Sequence, residues 1–565
     1  MKRRRMPFVI FGLLMTVLFA GSGPSYAEDT ADLILQHGVF YPVQPPGRVE
    51  GSLAVRGGRI VYLGSDAGAA PLRGPRTQVV DLAGRTVTPG LIDAHSHLGG
   101  LGMALAEVDL TAVPTYDEVI RRIRDAASRV PAGTWVFGRG WDQNRWPGKA
   151  FPTHEALTAA VPGHPVWLTR VDGHAALVNA AAMRLLGIDA ATKDPSGGRF
   201  LRDAAGHPSG VLVDNAMDVR GRLPAPPPAE VERWLTTAAR HCLALGLTTV
   251  TDMGVGQGDV DAYHALHKAG RMPLRAALFL VDNQELLDRW LQRGPEIDPD
   301  ARVTIRGVKM YADGALGSRG AALLEPYSDE PNNLGLLVTP GDHLEDVSRR
   351  AVAAGFQVGI HAIGDRGSLV ALDAMEKALG GPRPEARFRL EHTQVVRVQD
   401  LERMAKLGII ASMQPTHATS DMPWAEERVG ARRLERAYAW RKVLNDGGRL
   451  ALGSDFPVES ADPRLGLYAA VTRQDLEGKP AGGWLPAERL TREEALRGFT
   501  LDAAWSVFLD KEVGSLEIGK RADLVVFARD IMTVPEAEIP KVDIDMTLVD
   551  GAVAYERQKQ GGKTP

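Results

Sequence analysis

The sequence predicts an α/β protein whose main body is a (β/α)8 barrel. Eight short apolar segments recur along the middle of the chain, at residues 87–94, 247–252, 274–281, 305–311, 356–360, 387–391, 409–414 and 450–453. Amphipathic helical stretches, such as 229–245 and 368–379, separate most of them. Eight strands that alternate with helices are typical of this barrel, in which the carboxyl ends of all strands meet on one face.

The two ends of the chain predict a second, smaller β-rich domain. The stretch after residue 30 contains short apolar strands and glycine turns, and residues 522–528 form a β-branched run ahead of an Asp-Gly hairpin signal. Neither end is long enough to bury much apolar surface alone. We therefore expect residues 28–88 and 505–565 to pair into one composite β-domain, and residues 89–504 to form the barrel.

A long segment interrupts the barrel after its first strand. That strand candidate ends at residue 94 and the next begins at 247, which is far more chain than one helix uses. Residues 100–228 must therefore hold an insertion with strands of its own. Its tryptophans Trp141, Trp146 and Trp167 either line an apolar pocket wall or form the core of the insertion.

The first 27 residues predict a secretory signal peptide. Four basic residues at 2–5 precede an apolar run at 8–20, and small residues up to Ala27 end the segment. The apolar run is short for a spanning helix, which needs about 20 apolar residues. We expect cleavage to leave no stable membrane anchor, and the mature protein to be periplasmic in a Gram-negative source and secreted otherwise.

Composition excludes several classes of function. The chain has 565 residues, a formal net charge of -4 and a pI near 6.4, which argues against a large nucleic-acid interface. Cys242 is the sole cysteine, so neither a disulfide framework nor a cysteine-based zinc site is available. The oligomeric state is open, and a homodimer is the default expectation because two-fold dimers are the commonest oligomers.

Metal-binding residue types stand at the ends of predicted barrel strands. His95 and His97 end the first strand, and residues two apart in a strand point to the same side. The fifth, sixth and eighth strands end in His361, His392 and Asp455. Because these strand ends share one face, we expect the five side chains to meet. Imidazole and carboxylate suit zinc and similar divalent ions, without choosing among zinc, manganese, iron and nickel.

Five motifs lie in order at these strand ends: TPGLIDAHSH (88–97), VKMYADGALGSR (308–319), HAIGD (361–365), EH (391–392) and LGSD (452–455). Together they resemble the amidohydrolase superfamily, and more closely its YtcJ-like, amidohydrolase-3 branch, which includes N-substituted formamide deformylases. The resemblance spans nearly the whole chain after the leader.

The resemblance implies a centre of one or two divalent ions. His95 and His97 would bind the first ion, and His361 and His392 the second. Lys309, at the end of the fourth strand, matches a lysine that is carboxylated in such enzymes and, as a carbamate, bridges two ions. An unmodified ammonium there would repel the cations.

The resemblance also implies the reaction chemistry. Asp455 would bind the first ion and act as the base towards a water whose pKa the metal lowers to about 7. The proton would then pass to the leaving nitrogen. The sequence contains no G-x-S-x-G motif for a serine nucleophile.

Four further residues are candidate substrate contacts. Asp313 and Arg319, after the fourth strand, either hold the substrate or brace their loop as an ion pair. His174 lies in an Asp-Gly-His stretch of the insertion, and the resembling family has a matching stretch that faces the pocket. It either orients the substrate carbonyl or serves as a turn residue. His417, after the seventh strand, is a candidate for the pocket edge.

The leading hypothesis is an exported metal-dependent hydrolase of a non-peptide C–N bond in a small amide, N-acyl or N-formyl compound. The same site would serve an esterase, a lactonase, a cyclic-amide hydrolase or a deaminase, although a bridging Lys309 favours an acyl hydrolase. A third hypothesis is a non-catalytic binding or regulatory protein on this scaffold. The complete ligand set argues against it, because such a protein would usually lose a ligand.

Overall fold

The computed structural model describes residues 30–223 and 225–558. The predicted signal peptide at 1–27 lies outside the described residues. Within them, no helix has the length and apolarity needed to cross a membrane.

The strands are, in chain order, β1 (Leu33–Phe40), β2 (Val49–Arg56), β3 (Arg59–Gly64), β4 (Gln78–Asp81), β5 (Thr86–Pro89), β6 (Leu91–Ser96), β7 (Val108–Asp109), β8 (Val136–Trp141), β9 (Val166–Arg170), β10 (Ala175–Val178), β11 (Gly198–Arg202), β12 (Pro208–Asp214), β13 (Leu247–Val255), β14 (Arg275–Val281), β15 (Val303–Tyr311), β16 (Gln357–Ala362), β17 (Arg389–His392), β18 (Ile410–Met413), β19 (Leu450–Leu452), β20 (Leu524–Phe527), β21 (Ile544–Val549) and β22 (Ala552–Glu556).

The α-helices are α1 (Asp66–Ala69), α2 (Leu98–Ala104), α3 (Tyr116–Ala127), α4 (His154–Ala160), α5 (Ala180–Leu186), α6 (Pro228–Ala244), α7 (Gln257–Lys268), α8 (Gln284–Arg293), α9 (Gly341–Ala353), α10 (Asp365–Leu379), α11 (Val398–Leu407), α12 (Pro415–Asp421), α13 (Ala425–Leu434), α14 (Trp440–Asn445), α15 (Pro463–Thr472), α16 (Arg492–Gly498) and α17 (Leu501–Ser506).

The eight predicted strands form a nearly closed parallel barrel, so the predicted fold class is confirmed. Their order around the sheet is the chain order, β6, β13, β14, β15, β16, β17, β18 and β19. Backbone hydrogen bonds beyond β19 bring its end back to β6. The Asp455 N–H donates to the carbonyl oxygen of His95 over 2.8 Å, and the His97 N–H donates to that of Phe456 over 2.9 Å. These bonds fix the ends of the first and last strands, which carry His95, His97 and Asp455, against each other.

Both ends of the chain contribute to a second sheet. Its order is β22, β21, β20, β5, β1, β2 and β3, with β4 beside β1. The antiparallel pairing of β20 with β5 joins the C-terminal strands to the N-terminal ones. A buried ion pair, Arg275 Nε to Asp523 Oδ2 at 2.8 Å, connects this sheet to the barrel.

The insertion has its own six-stranded sheet, in the order β11, β12, β10, β9, β8 and β7. Trp141 and Trp146 are buried in one apolar cluster of this unit, and Trp167 in another. These tryptophans therefore pack inside the insertion and do not line a pocket wall. The insertion reaches the cavity at the carboxyl ends of the barrel strands through residues 101–112, through β8 and the residues after it, and through the turn between β9 and β10.

Candidate metal centre

One cavity of about 600 Å³ opens at the carboxyl ends of the barrel strands, and its walls include His174, His361, His392, His417 and Asp455. A cavity of about 580 Å³ shares four of these residues and adds His95, His97 and Lys309. The structure thus brings together all five predicted imidazole and carboxylate ligands and the lysine.

His95 is fully buried, and a carboxylate on the side away from the cavity fixes its ring. Its Nδ1 lies 2.7 Å from Oε2 of Glu391, which is also fully buried. The other ring nitrogen, Nε2, lies 3.3 Å from Nζ of Lys309 and 3.5 Å from Oδ1 of Asp455. The ring therefore presents Nε2 to the cavity.

His97 and His392 are oriented in the same way. Nδ1 of His97 lies 2.9 Å from the carbonyl oxygen of Met253, and Nδ1 of His392 lies 2.9 Å from Oε1 of Gln414. These oxygens accept hydrogen bonds, so in the neutral form of both rings Nδ1 carries the proton and Nε2 has a free lone pair. Metal-ligating histidines are usually fixed by such an oxygen behind the ring.

The arrangement of His97 and Asp455 is that of a cation site. Nε2 of His97 lies 3.0 Å from Oδ1 of Asp455. In the neutral ring Nε2 has no proton to donate, and Oδ1 is buried without a hydrogen-bond partner among the described residues. Two lone pairs that face each other at this distance repel unless a cation lies between or beside them. The residues therefore fit a divalent ion.

The most compact ligand group among the described residues is His95, His392 and Asp455, whose ligand atoms lie within 4.8 Å of one another. This group takes members from both predicted ligand pairs. The ring of His361 lies next to it, with its centroid 4.5 Å from that of His392. The division of the histidines between two ions stays a prediction.

The protonation states of these groups suit metal binding. Burial lowers the pKa of His95 to about 4, and burial with neighbouring positive groups lowers that of His392 well below its ordinary value. Burial alone would raise the pKa of Asp455, but the adjacent imidazoles of His95 and His97 hold it below the ordinary value. Neutral imidazole and ionised carboxylate are the forms that bind metal ions.

Two of these residues sit in unusual backbone conformations. His392 and Asp455 have left-handed φ angles of 70° and 62°. Such a conformation costs on the order of 1–3 kcal/mol for a non-glycine residue and is concentrated at functional sites. At Asp455 it is held by the preceding residue, because Ser454 donates both its N–H and its hydroxyl to the buried carboxylate of Asp93.

Lys309 is buried next to the ligands. Burial lowers its pKa to about 8, which increases the fraction of neutral amine. Its Nζ also lies 4.8 Å from the ring centroid of Tyr311. Among the described residues it has no carboxylate within ion-pair distance, although Glu391 and Asp455 act on it at longer range.

Asp313 and Arg319 do not form the ion pair that the sequence suggested. The buried carboxylate of Asp313 accepts three backbone N–H bonds, from Ala322, Ile363 and Gly364, at 2.8–2.9 Å. Asp313 thus braces its loop through the backbone. Arg319 pairs instead with Asp329 over 2.9 Å, and it lies outside the walls of the two metal-site cavities.

His174 and His417 both reach the cavity. Nδ1 of His174 lies 2.8 Å from Oδ1 of Asp214, and its ring centroid lies 4.9 Å from that of His361. His417 is buried, with Nε2 3.7 Å from Oδ2 of Asp455. Neither ring nitrogen of His417 has a hydrogen-bond partner among the described residues. Both histidines are therefore available to a bound substrate.

Sequence reasoning assigned no role to the side chains that orient the site residues by hydrogen bonds. They are Glu391 behind His95, Gln414 behind His392, Asp214 behind His174 and Asp93 behind Ser454. The sequence did contain a signal for a structural role of Glu391. Arg389 stands two residues earlier in the same buried strand and therefore points to the same side. A charged pair in such a strand must be mutually compensated.

Comparison with known proteins places the chain among relatives of similar length. Residues 78–555 match the family described as "Amidohydrolase family". The chain is 36% identical to Protein LONG AFTER FAR-RED 3 of Arabidopsis thaliana, over 88% of this chain and 87% of that protein. It is 34% identical to the putative amidohydrolase YtcJ of Bacillus subtilis (strain 168), over 86% and 91%.

Two further matches extend the comparison. The chain is 30% identical to the N-substituted formamide deformylase of Arthrobacter pascens, over 90% of this chain and 95% of that protein. The crystal structure of an uncharacterized metal-dependent hydrolase from Pyrococcus furiosus covers 89% of this chain and is itself covered completely, at 100%. Its TM-score is 0.70 and its sequence identity 32%.

Proposed function

Since the chain belongs to the amidohydrolase family, in its YtcJ-like branch, we propose that it is an exported enzyme that hydrolyses the acyl C–N bond of a small amide, N-acyl or N-formyl compound. The observation that carries this proposal is the convergence of His97 Nε2 and Asp455 Oδ1, which lie 3.0 Å apart. They lie beside the ligand group of His95, His392 and Asp455. The name of the formamide deformylase relative supports the choice of bond.

The residues that would hold the metal are His95, His97, His361, His392 and Asp455, with Lys309 between them. Imidazole and carboxylate ligands suit zinc and similar divalent ions, and we propose zinc as the ion tested first. When bound, such an ion supplies a Lewis acid and lowers the pKa of water.

Hydrolysis adds the elements of water across the C–N bond, so that the acyl carbon gains a hydroxyl and the nitrogen gains a proton. Asp455 is placed to move that proton. Its Oδ1 faces the ligand atoms, and its Oδ2 lies on the side of His417, at the cavity wall. We expect it to accept the proton from the attacking water and to release it to the leaving nitrogen, a contribution of about 10²–10⁴-fold to the rate.

We propose that Lys309 works as a carbamate. The neutral amine nitrogen attacks CO₂, forms an N–C bond and loses a proton, which leaves an anion in place of a cation. The burial of Lys309, and Nζ at 3.3 Å from His95 Nε2, support this change, because an ammonium among metal ligands would repel the ion.

His174 is proposed to orient the substrate carbonyl. It enters the cavity from the insertion, and Asp214 fixes its ring through Nδ1. Burial lowers the pKa of His174, but the hydrogen bond and charge of Asp214 outweigh this and raise it above the ordinary value. A ring that carries a proton on Nε2 can donate a hydrogen bond to an acyl oxygen.

Export and assembly are part of the proposal. The basic and apolar composition of residues 1–27 supports secretion, with Glu28 as the first residue of the mature protein. We propose a small-molecule substrate, no nucleic-acid partner and a homodimer as the default assembly. N-terminal sequencing of protein recovered from the cell envelope and the medium tests the cleavage site.

The mature protein, purified with its metal, tests the enzymatic proposal. Metal content would be measured by mass spectrometry, and amine release followed from a panel of N-formyl, N-acetyl and cyclic amides, with esters and lactones alongside. We expect amide turnover that a chelator abolishes and zinc restores. His95→Asn should lose metal and turnover, whereas His207→Asn, on the exposed surface, should lose neither. Ester-only turnover, or full activity of His95→Asn, would overturn the proposal.

A further inference from the structure

Arg139 is an arginine in the cavity wall with almost no partners. It belongs to β8 of the insertion and lines both metal-site cavities together with His361, His392 and Asp455. Among the residues that the structure describes, its guanidinium makes one hydrogen bond, from Nη2 to the carbonyl oxygen of Val171 over 3.2 Å. Its Nε is buried and has no hydrogen-bond partner among the described residues.

The lack of a counter-ion separates Arg139 from the other arginine buried in the same wall. Arg170 is bonded to Asp142 at 2.6 Å, to Asp172 at 2.5 Å and to Oε1 of Gln143 at 2.7 Å. Its charge and donors are therefore satisfied within the protein. Arg139 has no carboxylate within ion-pair distance among the described residues.

The carboxylates whose charges act most strongly on Arg139 each have another partner or role. Asp172 pairs with Arg170, and Glu107 is 3.8 Å from Arg220. Asp455 belongs to the metal centre. They act on Arg139 only at longer range. An arginine remains charged at any physiological pH and offers five N–H donors in a planar fork. Arg139 is half-buried and has no carboxylate partner among the described residues, so it has donors to give to a ligand.

We propose that Arg139 binds a carboxylate of the substrate, so that the substrate class is acylated or formylated amines that also carry a carboxylate group, such as N-acyl and N-formyl amino acids. The inference rests on the proposed C–N hydrolysis and names its substrate class. The guanidinium and a carboxylate match as a bidentate pair. The scissile acyl group would lie at the metal ligands while the carboxylate reaches the wall formed by β8.

Acidic residues elsewhere in the cavity do not occupy this position. Asp421 accepts hydrogen bonds from the Tyr438 hydroxyl at 2.7 Å and from Nε2 of Gln394 at 3.1 Å. Glu459 accepts one from the Ser420 hydroxyl at 2.5 Å. Both act on the His417 side of the cavity, so they do not neutralise Arg139.

The test compares matched substrates on the metal-loaded enzyme. N-formyl and N-acetyl amino acids would be assayed beside their carboxamides, which have nearly the same shape without the charge. We expect the wild type to favour the carboxylate by roughly 10–100-fold in kcat/KM, the range expected for a hydrogen bond to a charged group. Arg139→Gln should abolish this preference, mainly by raising KM for the carboxylate substrates.

Two further variants sharpen the result. Arg139→Lys should keep part of the preference, because it retains the charge without the fork. Arg124→Gln, an exposed change in α3 of the same insertion, should keep all of it. Equal turnover of the two substrate forms by the wild type, or an unchanged preference in Arg139→Gln, would overturn the inference and leave C–N hydrolysis standing.

The two failures remain distinguishable. If the wild type hydrolyses no amide of either kind, the proposed function fails. Calorimetry with N-formyl amino acids and metal-loaded protein then decides the inference. Binding that is lost in Arg139→Gln supports the carboxylate site, whereas binding that is absent, or equal in both proteins, overturns it.

Discussion

Nδ1 of His95 lies 2.7 Å from Oε2 of Glu391, and neither side chain has any exposed surface. Glu391 in turn accepts two hydrogen bonds from Arg389, at 2.8 and 2.9 Å, and Arg389 also donates to the hydroxyl of Ser412. The most buried of the proposed ligands is therefore held by a carboxylate whose charge an arginine compensates. Metal affinity and stability should be coupled through this group.

We expect Glu391→Gln to weaken metal binding by about 10–100-fold, because a neutral amide orients His95 less firmly. It also leaves Arg389 without its counter-charge, which should lower the free energy of unfolding by about 3–5 kcal/mol. Metal content after dialysis and denaturant unfolding measure the two effects. Glu385→Gln, an exposed change nearby in the chain, is the control. Equal metal retention and stability in the two variants would contradict the coupling.

Carboxylation of Lys309 predicts a carbamate carbon in the metal-loaded protein. We expect a carbamate resonance in the ¹³C NMR spectrum after equilibration with ¹³C-bicarbonate. Lys309→Ala should lack it and should bind less metal and turn over poorly, because it has no carbamate anion that would help to hold the metal. Lys377→Ala, which changes an exposed lysine, should behave as the wild type. A metal-loaded wild type without the resonance would rule out the modification.

The barrel was predictable because its signal is periodic and local. Each strand is a short apolar run bounded by turn residues, and the barrel gathers their carboxyl ends without further information. His361 and Asp455 could thus be assigned to one site although 94 positions separate them in the chain. The strands stand around the barrel in the order in which they occur in the chain, so the position of each strand end follows from the sequence.

Side-chain partners were less predictable, because they depend on loops that the strand pattern does not constrain. Arg319 was expected near Asp313, only six positions away, yet it pairs with Asp329. Arg139 belongs to an insertion whose position over the barrel no periodicity specifies, so its place in the cavity wall carried no sequence signal. His174 was found through a motif alone.

The position of His174 predicts an effect on turnover that is separate from metal binding. We expect His174→Ala to lower kcat/KM by roughly 10–100-fold, which is the scale of one lost hydrogen bond to a polarised acyl oxygen, while metal content stays unchanged. Asp214→Asn should cause a smaller loss, because the ring remains but is less firmly oriented. His207→Ala, which changes an exposed histidine of the same insertion, is the control. Loss of metal in His174→Ala would instead make His174 a ligand.

Asp455 combines two roles, and substitution should separate them. Asparagine keeps an oxygen for the metal but cannot accept a proton, so we expect Asp455→Asn to lose about 10²–10⁴-fold in kcat even at zinc concentrations that restore full occupancy. The adjacent imidazoles of His95 and His97 lower the pKa of Asp455 against the effect of burial, so the ionised base persists above pH 3.8 and is lost only as the pH falls through the lower folded value. Above that pH, the wild-type kcat should therefore show no decrease on acidification that is caused by protonation of Asp455. Asp346→Asn, an exposed change on α9, should leave kcat unaltered. A fully metallated Asp455→Asn with wild-type kcat would remove Asp455 from the proton path and leave it only as a ligand.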